Sequence, residues 1–564
     1  MAAARSLKIL LLSHSFNGLT QRLFVDLRGA GHQLSLELDI NDTVTAEAVD
    51  LFQPDLLIAP FLKRPLPPAI WKKLPCLILH PGPPGDRGPS ALDWAIFNKE
   101  TEWGVTLLQA NEILDGGEIW GHTTFPMRQA TKGSLYRNEV TDAASQVTLQ
   151  AVTAYAEGRL TPTSQSTIDT HHREQPIMSQ AARAIDWQQD SQATILRKIR
   201  SADGNPGLLD VINGHPYYLY DAHPDPALSG PTGEIIAQCG GAICRATADG
   251  KGVWIGQLRD PASPHPFKLP ATQLLGDTLS TIPEVDHPAP EIYYEEQGPI
   301  GMLHFPFYNG AMSTQRCHQL QQALQQAKRR PTRALLLLGG SDYWSNGMDL
   351  NQIEAAPSPA DASWENIQAM DDLALEIIQT EQQLTISALQ GNAGAGGVFL
   401  ARAADQVWSR DSVVLNPHYK DMGNLYGSEY WSYLLPRYCG EAHAKQIMSA
   451  RLPMGSREAK QLGLIDEHFS LPHAPFITHC VEQATAWVEQ PNLEQQLIDK
   501  QQRRAADEAV RPLASYREAE LEKMRMNFYG FDPSYHIARY NFVHKVVKSR
   551  TPLHLAHHRS KERL

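Results

Sequence analysis

The chain has 564 residues, and this length predicts three or four domains, because a single hydrophobic core stops growing well below that size. Hydrophobic residues make up 42% and charged residues 20%, as in ordinary globular proteins, while the net charge of −12 argues against nucleic acid as the main partner. No stretch approaches the ~20 apolar residues of a membrane span and no signal peptide is recognisable, so we expect a cytoplasmic protein with no membrane partner.

Residues 1–180 are expected to form a doubly wound α/β domain with a parallel sheet. Buried strand patterns at residues 7–13, 33–39, 55–59 and 76–79 alternate with helical patterns, and this alternation is typical of such sheets. Over residues 181–285 a linker helix leads into short strands that Gly, Asn, Asp and Pro interrupt. These short strands predict a small OB-like β-module, which is a partly open barrel.

A second α/β domain is expected over residues 286–480, where strand and helix patterns alternate again after a proline-rich, acidic linker. Residues 481–564 are charged and helical in pattern, so we expect a C-terminal helical region there. The predicted fold class is therefore multidomain α/β, with the β-module between the two α/β domains and helices at the end.

Metal ligands are not expected. The six cysteines are scattered without a CxxC pair, and the only close pair, Cys239 and Cys244, lacks the second pair of a zinc site. Buried free thiols in a reducing compartment are the better interpretation. No carboxylate or cysteine spacing supports metal binding by the histidine pairs at 171–172 and 557–558, which we expect to be solvated.

A Gly/Pro-rich loop after the strand pattern at residues 76–79 carries the first candidate site. His80 opens this loop, and Asp115 lies in a later Leu-Asp-Gly-Gly turn. A His and an Asp from neighbouring loops at one sheet edge can form an acid/base pair, in which the imidazolium stabilises a developing oxyanion. Either residue alone is more often an ordinary turn residue, so the prediction depends on the joint pattern.

That joint pattern resembles the formyltransferase family that uses 10-formyltetrahydrofolate. It comprises His-Pro-Gly, Arg-Gly-Pro-Ser-Ala-Leu-x-Trp-Ala-Ile, Gly-Val-Thr and Leu-Asp-Gly-Gly, and the resemblance covers about residues 5–270, including the β-module. It implies 10-formyltetrahydrofolate as one-carbon donor, with catalytic His80 and Asp115 and with cofactor-binding Arg87 and Gly88. Ile78 replaces the family's catalytic Asn and cannot donate to a formyl oxygen, so the resemblance does not extend to the usual amine acceptor.

A second candidate site follows two buried strand patterns of the second α/β domain. One strand leads to Gly347 and Met348, and the other leads through Gly394 to Gly396 and Gly397 at the start of a helical pattern. One backbone N–H after each strand can converge on a carbonyl oxygen, to which the helix N-terminus adds partial positive charge. Glycine lets the backbone approach a ligand closely, although helix packing explains a single glycine run as well.

The paired pattern resembles the crotonase (enoyl-CoA hydratase/isomerase) family over about residues 292–470. The resemblance implies coenzyme A (CoA) as a ligand, with an oxyanion hole formed by the N–H groups of Met348 and Gly396. The further residues implied to contact the cofactor are Gly347, Gly394 and Gly397. Phe399 and His418 occupy the positions of the two glutamates that the family's hydratases use, so addition of water to an enoyl-CoA is not expected.

Residues 416–431, NPHYKDMGNLYGSEYW, hold the remaining candidate catalytic side chains. The segment follows buried strands and a glycine-rich turn, which is where an α/β fold places chemistry. Because it replaces a known catalytic segment, we assign Glu429 as a proton-handling carboxylate and Tyr419 as its partner. The competing interpretations are a surface helix residue for Glu429 and a half-buried core aromatic for Tyr419. His418 and Asp421 are further candidates.

A folate-dependent formyltransferase fused to an altered crotonase resembles a family of nickel–iron hydrogenase maturation factors over essentially the full length. The resemblance implies formyl transfer from 10-formyltetrahydrofolate to CoA and then decarbonylation of formyl-CoA to CO and CoA, the CO becoming an iron ligand. Tetrahydrofolate and CoA are the implied small-molecule partners, and hydrogenase maturation proteins are candidate protein partners. Two alternatives stay open: a formyltetrahydrofolate or formyl-CoA hydrolase that releases formate, and a formyltransferase with a non-catalytic CoA-binding module.

Overall fold

The structure is a computed structural model that describes residues 5–168 and 174–560. The described residues form two compact units, the first made of residues 5–288 and 547–560 and the second of residues 289–546. Each unit has its own sheets and its own buried cores. No helix within these described ranges is long and apolar enough to cross a membrane.

A six-stranded sheet forms the first part of the first unit. Its strands are β1 (Lys8–Ser13), β2 (Gln33–Leu38), β3 (Leu56–Phe61), β4 (Cys76–His80), β5 (Glu102–Gln109) and β6 (Ile119–Pro126). Its helices are α1 (Gly18–Gly29), α2 (Asp42–Phe52), α3 (Pro68–Trp71), α4 (Ala91–Phe97), α5 (Lys132–Leu135) and α6 (Thr141–Ala156). The strand order is β2-β1-β3-β4-β5-β6, and β1 to β4 are parallel, which confirms the α/β class.

The last two strands of this sheet, β5 and β6, are antiparallel to their neighbours, whereas the sequence predicted a parallel sheet. Residues 110–118 join β5 to β6 directly, and only antiparallel neighbours can be joined without a long crossover. The connection leaves the sheet beside Cys76, to whose carbonyl the Ala110 N–H donates at 2.7 Å. It then folds back so that Asp115 reaches the ring of His80, 3.5 Å away at Nδ1.

An antiparallel sheet of short strands forms the second part of the first unit and confirms the small β-module. Its strands are β7 (Leu208–Ile212), β8 (His215–Asp225), β9 (Ile235–Cys239), β10 (Ala242–Ala246), β11 (Gly252–Arg259) and β12 (Leu269–Pro270). The order is β7-β8-β11-β10-β9, with β12 also paired to β11. The module's core includes buried residues of two helices, α7 (Gln192–Ser201) and α8 (Ala271–Leu275).

Residues 547–560 belong to the first unit and cover β2, the edge strand of its first sheet. The Leu36 N–H donates at 2.9 Å to the Leu555 carbonyl of this segment. The buried carboxylate of Glu37 lies 3.0 Å from His558 Nε2 and 2.8 Å from Arg559 Nη2. The edge strand is therefore protected by a backbone hydrogen bond and by a buried ionic contact.

Two sheets form the core of the second unit. Their strands are β13 (Tyr293–Gln297), β14 (Ile300–Phe305), β15 (Ala334–Gly339), β16 (Tyr343–Ser345), β17 (Leu384–Leu389), β18 (Asn392–Gly394), β19 (Gln406–Arg410), β20 (Val414–Asn416), β21 (Met454–Gly455) and β22 (Glu467–Phe469). One sheet has the order β13-β14-β15-β17-β19-β22, and the other has the order β16-β18-β20-β21. In the larger sheet all neighbours except β13 and β14 are parallel, and the alternation of strands and helices confirms the second α/β domain.

Helices surround these two sheets and continue to the end of the unit. They are α9 (Thr314–Ala327), α10 (Leu350–Ala355), α11 (Pro359–Ile378), α12 (Gly396–Arg402), α13 (Trp431–Ala450), α14 (Ser456–Gln461), α15 (His473–Val488), α16 (Leu493–Val510), α17 (Leu513–Tyr529) and α18 (Ser534–Val543). Because β15 and β17 are parallel neighbours, the segments that follow them meet at one edge of the sheet. Those segments carry Gly347 and Gly396, so the fold places the second candidate site at that edge.

Candidate active sites

His80 is the last residue of β4, and its imidazole is buried between two carboxylates. Its Nε2 lies 2.7 Å from Asp86 Oδ2, and its Nδ1 lies 3.5 Å from Asp115 Oδ2. The sequence paired His80 with Asp115 but missed Asp86, which follows His80 in the same loop. The Nε2–Asp86 contact is a hydrogen bond and the Nδ1–Asp115 contact is longer, so the two carboxylates hold the ring from opposite sides at the end of β4.

Glycines make this close arrangement of loops possible. A Cβ on Gly82 would lie 2.4 Å from Asp86 Oδ2 and 2.6 Å from His80 Nε2, so any side chain here would separate the pair. Gly88 has a φ of 114°, which favours glycine, and its N–H donates to Asp115 Oδ2 at 3.1 Å. Gly88 therefore contacts the candidate catalytic carboxylate through its backbone N–H.

Two other residues singled out in this region lie on β4 and on the loop after it. Ile78 lies within β4 and pairs in register with Ala59 and Leu108, so its strand position offers an apolar side chain where the formyltransferase family has Asn. Arg87 is half-buried, and its carbonyl accepts from the Gln175 N–H at 2.9 Å. The titratable side chains that the structure brings together at the end of β4 are His80, Asp86 and Asp115.

Two glycine-containing segments of the second unit meet closely at the second candidate site. A Cβ on Gly347 would lie 3.5 Å from the backbone nitrogen of Gly396, and Gly347 has a φ of 77°. A Cβ on Gly397 would lie 2.3 Å from the Ser345 carbonyl oxygen, so that glycine lets α12 pack against β16. The N–H groups of Gly396 and of Met348, the residue after Gly347, are thereby placed on adjoining segments, as an oxyanion hole requires.

Glu429 and Tyr419 form a buried hydrogen-bonded pair beside Gly396. The Tyr419 hydroxyl donates to Glu429 Oε2 at 2.5 Å, and the two residues are 5% and 1% exposed respectively. A Cβ on Gly396 would lie only 2.1 Å from Glu429 Oε1. The structure thus brings together candidate residues from two segments, and Glu429 is buried and not the surface residue of the competing interpretation.

Two further buried carboxylates, Asp371 on α11 and Glu520 on α17, lie around Glu429, and sequence reasoning missed both. Burial, with the nearby charge of Asp371, raises the pKa of Glu429 to about 8, and the Tyr419 hydrogen bond opposes this rise. Burial likewise raises the pKa of Asp371 to about 7 and that of Glu520 to about 8. Because these groups interact, they share protons near neutral pH, where a carboxyl can both accept and return a proton.

An aromatic ring and a buried thiol also lie beside this pair. Phe399, which stands in place of a hydratase glutamate, stacks on Tyr419 with ring centroids 5.3 Å apart and an interplanar angle of 22°. Burial and the Glu429 charge raise the pKa of Tyr419 well above its ordinary value. Burial and Glu429 also raise the pKa of the Cys317 thiol, so that thiol is not a ready nucleophile. A dry pocket strengthens every electrostatic interaction inside it.

The two weaker candidates of residues 416–431 differ in position. His418 is buried, and its backbone N–H donates to the Asn416 carbonyl at 2.8 Å. Asp421 is exposed. Tyr419 and Glu429, which are hydrogen-bonded to each other, are therefore the side chains of this segment that we assign to joint chemistry.

The histidine pairs have different outcomes. The His558 side chain is fully buried against Glu37, so the prediction of a solvated histidine was wrong there; a residue from the chain end meets a buried glutamate that the local pattern did not reveal. His171 and His172 lie outside the described residues. Across residues 5–168 and 174–560, no group of three or more His, Cys, Asp or Glu side chains could hold a metal ion.

Comparisons with known proteins identify both halves of the chain. A formyl transferase model matches residues 37–152, a formyl transferase C-terminal domain model matches residues 177–265, and an enoyl-CoA hydratase/isomerase model matches residues 302–532. A hydrogenase maturation factor HoxX from Bradyrhizobium diazoefficiens is 54% identical over 557 residues, which cover 98% of this chain and 97% of that protein. The chain belongs to the HoxX/HypX family.

Structural similarity extends over the whole of this HoxX/HypX chain. A crystal structure of HypX from Aquifex aeolicus in complex with tetrahydrofolic acid is 46% identical, with a TM-score of 0.95 over 99% of this chain and 100% of that one. A methionyl-tRNA formyltransferase from Synechococcus sp. is 26% identical over 220 residues, which cover only 37% of this chain. The fusion of formyltransferase and crotonase-like domains is therefore the feature shared with HoxX/HypX proteins.

Proposed function

We propose that this HoxX/HypX chain makes carbon monoxide for the maturation of nickel–iron hydrogenase. It transfers the formyl group of 10-formyltetrahydrofolate to the thiol of CoA and then splits formyl-CoA into CO and CoA. The observation that carries the proposal is the buried Glu429–Tyr419 pair against Gly396, in a domain whose hydratase glutamates are replaced. The folate donor is supported by the tetrahydrofolic acid in the HypX structure and by the formyl transferase model.

In the first step the CoA thiol attacks the formyl carbon, and a tetrahedral oxyanion forms. The C–N bond then breaks, and the thiol proton passes to the departing nitrogen of tetrahydrofolate. His80, placed between Asp86 and Asp115, stabilises the oxyanion. Cys76 on β4 is no competing acceptor, because burial raises the pKa of its thiol to about 12. Arg87 and Gly88 are the proposed folate contacts of the same loop.

In the second step the N–H groups of Met348 and Gly396 hold the carbonyl oxygen of formyl-CoA. The Glu429 carboxylate takes the formyl proton while the C–S bond breaks, so the carbon and its oxygen leave as CO. The thiolate then receives a proton from the Glu429–Tyr419 pair, which restores the carboxylate and yields the CoA thiol. A base with a pKa of about 8 can carry out both proton transfers near neutral pH.

Decarbonylation is favoured over hydrolysis by the character of the second site. A hydrolase has to activate a water molecule, whereas Glu429 is 1% exposed and its partner Tyr419 is stacked under Phe399. A purely CoA-binding module needs no buried carboxylate of raised pKa beside its oxyanion glycine, and such a group is costly to keep. Both alternatives, formate release and CoA binding without catalysis, are nevertheless outcomes of the test.

The test is to incubate the protein with 10-formyltetrahydrofolate and CoA, measuring CO by haemoglobin spectroscopy and formate in parallel. CO in proportion to the tetrahydrofolate formed is expected. Formate without CO would identify a hydrolase, and formyl-CoA that accumulates would identify a non-catalytic second domain. With formyl-CoA supplied, His80→Ala should still release CO while Glu429→Gln should not; intact CO release by Glu429→Gln contradicts the assigned base.

A further inference from the structure

The turn that presents Glu429 has an unusual backbone. Glu429 and Tyr430 each have a φ of 59°, which is the left-handed region that side chains other than glycine rarely adopt. Gly427, two residues earlier, has a φ of 90°. Two consecutive non-glycine residues in this region persist only where the surroundings hold them, and such backbone strain concentrates at functional sites.

Asp371 and Glu520 supply the contacts that hold this turn. Asp371 Oδ1 accepts from the Glu429 N–H at 2.8 Å, and Glu520 Oε2 accepts from the Tyr430 N–H at 3.0 Å. The Ser428 hydroxyl donates to Asp371 Oδ2 at 2.9 Å and also lies 3.3 Å from Glu520 Oε2. Carboxylates from two helices therefore accept from the backbone N–H groups of the two peptides that flank Glu429.

We propose that Asp371 and Glu520 are positioning residues, which hold Glu429 in the orientation that meets Tyr419 and Gly396. The inference rests on the proposed function, because it concerns the base of the CO-releasing step. Neither residue needs to touch the substrate, since each acts on Glu429 through the turn and through space. Buried like charges are costly, so their presence here needs a compensating role.

The charged and titratable groups around Glu429 determine the sign of the effect. Asp371 faces it from α11, Glu520 from α17, Tyr419 from its own segment and the Cys317 thiol from α9. Arg517 of α17 lies 3.7 Å from Asp371 Oδ2 and reduces, without cancelling, the negative charge there. Asp371 and Glu520 both raise the pKa of Glu429, so neutralising either one lowers that pKa and makes Glu429 a weaker base.

The experiment uses the full chain with formyl-CoA and the variants Asp371→Asn and Glu520→Gln. We expect the acid limb of the pH–rate profile for CO release to move to lower pH by about one unit in each variant. In Glu520→Gln, kcat should also fall about tenfold with KM unchanged. Glu520 Oε2 accepts from the Tyr430 N–H and Oε1 from the Ser432 N–H, and one amide oxygen cannot replace both acceptors. The exposed Glu518→Gln on the same helix is the matched control and should leave the profile in place.

An infrared titration keeps this inference separate from the proposed function. The C=O stretch of protonated Glu429, assigned by its loss in Glu429→Gln, is followed against pH without substrate. The measurement is made on each of Asp371→Asn and Glu520→Gln that folds. A titration midpoint lower than that of the wild type supports the positioning role even if the wild type releases no CO. An unchanged midpoint in a folded variant overturns the positioning role even if the wild type does release CO.

Discussion

Substituting Gly396 by alanine tests whether Glu429 works where the structure places it. The new Cβ would lie 2.1 Å from Glu429 Oε1, about 1.3 Å inside the 3.4 Å at which ordinary contact begins. Glu429 cannot move away freely, because its Oε2 accepts a hydrogen bond from the Tyr419 hydroxyl at 2.5 Å and its backbone N–H donates to Asp371 Oδ1 at 2.8 Å. A misplacement of about 1 Å costs about 100-fold in rate, so kcat for CO release should fall about 100-fold.

A second glycine separates this catalytic effect from simple crowding. Overpacking costs about 1–3 kcal/mol of stability, of which better helix propensity at Gly396 offsets up to about 1 kcal/mol. Gly301→Ala is the matched control, since its Cβ would lie 2.3 Å from the Tyr294 hydroxyl and 2.8 Å from Leu335, away from the site. The control should lose stability and keep kcat, as measured by thermal unfolding and haemoglobin trapping of CO. Full kcat in a folded Gly396→Ala protein would refute the placement of Glu429.

Three other outcomes are expected. Gly82→Ala should abolish formyl-CoA formation and spare CO release from supplied formyl-CoA, because the new Cβ would separate Asp86 from His80. Equal loss of both activities would contradict two separate sites. Calorimetry should show the second unit losing stability as pH rises from 4.5 to about 8. The pKa of Glu429 is 4.5 in the unfolded chain and about 8 in the folded one, so the proton that the folded state binds is lost over this window. Rising stability over that window would contradict the buried carboxyl cluster. Arg559→Ala should destabilise the first unit by about 3 kcal/mol, because the buried Glu37 loses a partner. The control Arg550→Ala changes an exposed residue and should leave the unfolding temperature of the first unit unchanged. Equal unfolding temperatures in the two variants would show that the Arg559–Glu37 contact contributes nothing.

Local patterns predicted most of the buried strands. Residues 9–12 of β1, 76–79 of β4 and 334–338 of β15 are continuous apolar runs, and fully buried strands of a parallel sheet need such runs. The reversal at β5 and β6 was not predicted, because strand direction depends on the short connection between them and not on the side chains of either strand.

The candidate sites were predictable only in part, for a related reason. Tyr419 and Glu429 were found because their segment replaces one that carries chemistry in related folds. Asp371 and Glu520 are 58 and 91 residues away from Glu429 in sequence and come from helices whose patterns are ordinary, so only the folded structure brings them to it. Asp86 had a usable signal, which is an acidic residue in a Gly/Pro-rich loop shortly after a candidate histidine.

The most direct test of the account follows the carbon atom itself. The protein is given 10-formyltetrahydrofolate labelled with carbon-13 in the formyl group, with and without CoA, and released gas is trapped on haemoglobin and read by infrared spectroscopy. The account predicts labelled CO that requires CoA and labelled formate only as a minor product. Labelled formate without labelled CO, or labelled CO that forms equally well without CoA, would contradict it.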